Sequence, residues 1–131
     1  MKYVILIHSN PQPWTHPTSD NVPEHQALPE AERKRLGADF DALLADLSER
    51  GELIGGEALD DPANARLYRW RNGKPVATDG PYAEAKEQVV GYCIVDCETE
   101  ERAVEIASRW PDARWWGMEV RALLSPDGTE M

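Results

Sequence analysis

The chain has 131 residues, with 14 Lys plus Arg against 24 Asp plus Glu, for a formal charge of −10 at pH 7. That length suits one domain around a single core, and that charge would be repelled by phosphate backbones and anionic lipid, so neither nucleic acid nor a membrane surface is an expected partner. The apolar run Tyr3–Ile7 is too short for a signal core or a spanning helix, which predicts a cytoplasmic protein.

Lys2 to His8 reads as a strand with apolar residues on both faces, so both faces should be covered. His8 ends it and is the histidine best placed for proton transfer; the alternative is a boundary residue bonded to backbone. From Ser9 to Leu28 the composition shifts to Pro11, Pro13, Pro17 and Pro23 among polar residues. No periodicity survives there, which predicts a loop, either mobile or a lid, with Trp14 tucked against the body. His16 and His25 in this loop, near Asp20 and Glu24, match no compact metal-ligand spacing, so no metal is expected.

Leu36, Phe40, Leu43, Leu44 and Leu47 form one apolar stripe, predicting a helix from Pro29 to Arg50 that Gly51 stops. Leu53 to Leu59 follows as a strand whose paired Gly55 and Gly56 suggest a bulge or a close backbone approach, and Glu57 is a candidate cleft residue. Ala65–Arg71 and Lys74–Thr78 flank Asn72-Gly73, the signal of a two-residue type I′ hairpin. Arg66, Arg69, Arg71 and Lys74 make the hairpin cationic. They suit an anionic ligand group, with Arg69 the candidate contact, or equally an edge kept charged against aggregation.

Asp79-Gly80-Pro81 is a strong turn, and it leads through a charged link into Val89–Val95, apolar on both faces and therefore a central strand. Asp79 either bonds its own turn or projects into a cleft as a catalytic group; Tyr82 beside it is a candidate substrate contact. Cys93 and Cys97 lie four apart on this run, about 13 Å between Cα atoms if the strand continues, too far for a disulfide. Thr99 caps a second helix with Ala103, Ile106, Ala107 and Trp110 on its buried stripe, and Pro111 ends it. Trp115–Leu124 is the last strand, with one ring of Trp115-Trp116 facing in and one out, and residues 125–131 read as a frayed tail.

The run Asp79-Gly80-Pro81-Tyr82-Ala83-Glu84-Ala85-Lys86-Glu87-Gln88-Val89-Val90-Gly91-Tyr92 resembles the DGPF segment of the YCII-related (DGPF-domain) proteins, with Tyr82 in place of the usual Phe. Leu53–Leu59, the opening strand and the helix after Cys97 are similar as well. The resemblance implies an α+β protomer with a ferredoxin-like antiparallel sheet, two helices on one face and an extra hairpin, assembled as a dimeric α+β barrel. The element count independently predicts a homodimer, because two single-striped helices cover only one sheet face.

In the family, the segment containing Asp79 lies near a proposed active-site cleft, and one branch carries a His-Asp pair with its histidine in the first helix. That position is Phe40 here, so a dyad must recruit His8, His16 or His25. No nucleotide-binding glycine loop, nucleophile elbow or HExxH occurs, so no cofactor is expected. The expectations are therefore two. One is a cofactor-independent enzyme doing acid–base chemistry on a small polar or anionic metabolite, with Asp79 and His8 catalytic and Arg69, Glu57 and Tyr82 binding. The other is a non-catalytic regulatory module that binds a ligand or, as the resemblance suggests, a sigma factor.

Overall fold

Two strands that are apolar on both faces hold the centre of the sheet. The computed structural model describes residues 1–9, 14–79 and 87–131. Within them, β1 (Lys2–Ser9) pairs antiparallel with β5 (Gln88–Asp96) on one side and β6 (Met118–Ala122) on the other, and β2 (Leu53–Ala58) closes the far edge beside β5. The order β2-β5-β1-β6 is the ferredoxin-like arrangement of an α+β fold. Strands β3 (Arg66–Arg71) and β4 (Lys74–Asp79) form a separate two-stranded hairpin. It turns on Asn72 at φ 52° and Gly73 at φ 74°, the positive pair that a type I′ turn requires.

Helix α2 (Glu30–Glu49) starts with Pro29 as its N-cap, and the chain leaves it through Gly51 at φ 69°. Helix α3 (Glu100–Ser108) is capped by Thr99, whose hydroxyl accepts from the Arg102 amide at 3.1 Å. Both helices pack on one face of the sheet. Leu43 and Leu47 of α2 and Ala103 and Ile106 of α3 share a core with Tyr3, Ile5, Cys93 and Val95. Each large side chain removed from water there contributes roughly 1.5–3 kcal/mol. Arg102 ties the layer together from α3, reaching Glu52 at 2.8 Å and Asp46 at 3.2 Å. The hydrogen bond from Arg102 holds the Glu52 carboxyl below its usual range.

Both cysteines are free and buried, and burial pushes the Cys93 thiol up to about 11, which leaves it an inert packing group. Among the described residues, no helix packs on the second sheet face, where Leu6, Tyr92 and Ile94 are half-exposed and Ile54 is exposed. No helix among the described residues is long and apolar enough to cross a membrane.

Three expectations change. The proline-rich stretch is not a structureless loop: Thr18–Asn21 forms a 3-10 turn and Pro23–Gln26 a short helix α1, and Thr18, Ser19, Val22 and His25 are buried. Prolines forbid long regular elements but suit the first positions of short ones. The tail is folded back, because Gly128 at φ 86° and the Asp127 carboxylate make a turn that returns Met131 to Leu123 and Lys2. Trp115 and Trp116 precede the strand, and both indole nitrogens are buried, because a 3-10 turn at Pro111–Arg114 sets their direction in place of strand alternation.

The glycine pair does what its position suggests. The ladder slips between Leu53 and Gly55, and a Cβ on Gly56 would stand 2.5 Å from the Tyr92 carbonyl oxygen, whereas one on Gly55 would meet nothing within 4 Å. Gly56→Ala should therefore lose about 2 kcal/mol or more, a fall in melting midpoint of roughly 5–10 °C. Gly55→Ala should stay within about 0.5 kcal/mol of the parent. Equal midpoints for the two variants would contradict the close approach.

Candidate functional site

Between α2 and the floor of β2 and β5 lies a cleft of about 1020 Å³, roofed by residues 16–25 and closed at one end by Trp110–Asp112. It exists because the α2 stripe divides. Leu43 and Leu47 point into the core, whereas Leu36, Phe40 and Leu44 line the cleft. The floor is low because Gly55, Gly56 and Gly91 put no side chain there. Phe40 packs edge-to-face on Trp110 with ring centroids 4.9 Å apart, so the lower wall is aromatic.

The polar groups gather toward the roof. Asp112 is 6% exposed and accepts a hydrogen bond from the Thr18 hydroxyl on Oδ2 at 2.5 Å. Burial pushes its carboxyl above the usual range, with the Thr18 bond and the nearby His16 pulling the other way. His16 places Nε2 2.7 Å from the Leu59 carbonyl oxygen. A carbonyl only accepts, so this nitrogen carries the hydrogen, and Nδ1 of the neutral ring is left as a lone pair. His25 is 8% exposed, with Nε2 3.5 Å from Asp20 Oδ1 and an edge-to-face contact with Trp115. Its Nδ1 is buried with no hydrogen-bond partner among the described residues.

A carboxyl group raised by burial beside a histidine of fixed tautomer is a pair suited to giving and taking a proton. Nothing in the periodicity marks Asp112, which follows Pro111 in a short turn. The buried Asp112–Thr18 pair joins residues 94 apart in sequence, so only the folded chain brings them together.

The residues singled out from the sequence divide. Glu57 borders the cleft on β2, but it pairs in register with Tyr92, so its side chain shares Tyr92's helix-free face of the sheet. His8 lies on the same helix-free face, with Nε2 3.0 Å from Glu119 Oε1, because strand alternation sends it away from Ile7, which lines the cleft. Arg69 sits in the hairpin opposite Val76, and no hairpin residue among those described lines the cleft. Asp79 ends β4 in register with Arg66. Its side chain, and Tyr82 with the rest of 80–86, lie outside the described residues. Among the described residues, no three His, Cys, Asp or Glu side chains are grouped to hold a metal ion.

An uncharacterised protein of Rhizobium meliloti (strain 1021) is 32% identical over 76 residues, a segment covering 58% of this chain and 61% of that relative. The match thus spans about three-fifths of the relative's own length. The family model for the YCII-related domain matches residues 1–125, and the chain belongs to that family.

Proposed function

We propose that the cleft binds a small polar organic molecule and that the protein is a cofactor-independent enzyme acting by proton transfer, with Asp112 and His16 as the exchanging groups. The buried Asp112 carries this reading. A carboxyl group costs free energy to bury unless its charge is matched, and this one is kept at the end of an open cleft, where the Thr18 hydroxyl donates to it. His16 supplies the complementary base, its ring fixed by the Leu59 carbonyl. Asp79 and Tyr82 stay in the same proposal as candidates read from the sequence.

The half-exposed apolar face supports a homodimer packed sheet to sheet. Leu6, Tyr92 and Ile94 lie side by side across β1 and β5, with His8, Glu119 and Arg121 at their margin. A two-fold axis through this patch would bring the apolar residues together and set charges of both signs along the rim.

A second reading, the regulatory module, is favoured by the hairpin. Tyr68 and Trp70 are 69% and 75% exposed and share one face of β3. Large aromatics are costly in water and are enriched where proteins meet. A sigma factor, or another protein with an apolar groove, would fit this arm.

Two outcomes test these readings. Asp112→Asn keeps the shape of the side chain and removes its titration. A raised folded-state value means that the parent loses stability as pH rises from the ordinary carboxylate range through the raised one. The variant should therefore melt at the same temperature as the parent below about pH 4 and up to about 4 °C higher at pH 7, while losing whatever small-molecule hits the parent gives in a thermal-shift screen. A variant that melts lower at neutral pH and keeps the hits would make Asp112 a structural residue. Asp79→Asn and His8→Ala belong in the same screen, and loss of hits in either would draw that residue into the site. In sedimentation equilibrium at micromolar concentration, the chain should run at twice its 14.7 kDa mass, and Leu6→Asp should run as a monomer; a monomeric parent would overturn the dimer.

A further inference from the structure

We infer that the ligand of this cleft carries a protonated amine on an apolar body. The inference rests on the reading of the cleft as a small-molecule site and adds the ligand's charge and shape.

The sign of the charge follows from the lining. Asp20, Glu30, Asp41 and Asp112 are among the acidic residues that line the cleft. Among the described residues, the lining cations are Arg33 and Lys34, both exposed near the start of α2, and Lys34 is bound to Glu30 at 3.3 Å. The cationic hairpin residues that suggest an anionic ligand do not line the cleft. An anion entering here would meet mostly like charge, whereas a cation would meet opposite charge in a chain already at −10.

The hydrogen-bonding inventory points the same way. The polar groups at the roof are acceptors: the buried Asp112 carboxylate, the lone pair left on the exposed His16 ring and the His25 Nδ1. That last atom is buried, in a residue only 8% exposed, and has no hydrogen-bond partner among the described residues. With Nε2 turned to the Asp20 carboxylate, the neutral ring offers Nδ1 as an acceptor. An ammonium group brings three donors and no acceptor, and it compensates the charge of a buried carboxylate. The apolar part has its own seat. Leu36, Leu44 and the Phe40–Trp110 pair form an aliphatic and aromatic wall, which accommodates hydrocarbon and also attracts a cation through the ring faces.

The probes are 2-phenylethylamine, 2-phenylethanol and 3-phenylpropionate, three molecules with one skeleton and three head groups. Each is titrated at pH 7 into the full chain and into Asp112→Asn, followed through the backbone amides of Gly37, Gly55 and Gly91 around the cleft. The amine should bind about tenfold tighter than either other probe, and in Asp112→Asn binding should weaken, most of all for the amine, so that its advantage shrinks to about threefold or less. If the carboxylate or the alcohol binds tightest, the cleft remains a site and the inferred amine is wrong. If no probe shifts these amides, both the amine and the small-molecule reading fail. The ranking on the parent chain decides the matter even if Asp112→Asn does not fold.

Discussion

The hydrogen bond from Thr18 to Asp112 is the contact on which the functional half of this molecule depends. It joins the proline-rich stretch to the turn after α3 and holds residues 16–25 over the cleft as a roof. Neither partner would be buried without the other. Thr18 lies in a four-residue 3-10 turn and Asp112 in another, elements too short to be stable by themselves. Their docking desolvates the carboxyl group, and that desolvation raises its affinity for a proton. One contact thus makes the enclosure and tunes the group inside it.

The sheet supplies the other constraint. Glycine at position 56 lets β2 approach β5 closely, and Gly91 keeps the floor free of side chains next to Glu57. Helices α2 and α3 cover the same face that carries this floor, so strand alternation divides the work of β1. Its odd positions, Tyr3, Ile5 and Ile7, build the core and one wall of the cleft. Its even positions, Leu6 and His8 among them, face the side without helices. The proposed ligand site and the proposed subunit interface therefore lie on opposite faces of a single sheet. Substitutions in one need not disturb the other.

Local rules carried most of the architecture. The α2 stripe, the Asn72-Gly73 turn, the Thr99 cap and the tight glycine pair each follow from residues within a few positions of one another. All four appear where periodicity and turn chemistry put them. The site was far less legible. Asp112 acquires its character only by meeting Thr18, and His16 by meeting the Leu59 carbonyl, 43 positions away. His8 looked the better proton carrier because a strand end is a defined place and a proline-rich stretch is not. In the fold, the strand end faces away from the cleft and the proline-rich stretch lines it. The same limit explains Trp115 and Trp116, whose directions are set by a short turn and not by alternation.

The most direct test is the titration of the Asp112 carboxyl group itself, followed by carbon NMR of the selectively labelled side chain with Asp112→Asn as the assignment control. The account predicts a midpoint clearly above about 3.9, the ordinary aspartate value, moving downward when an amine occupies the cleft. A midpoint at or below the ordinary value would mean that water or a cation of the protein already matches this carboxylate. The roof would then be no more than packing, and the proton-exchanging site would not exist.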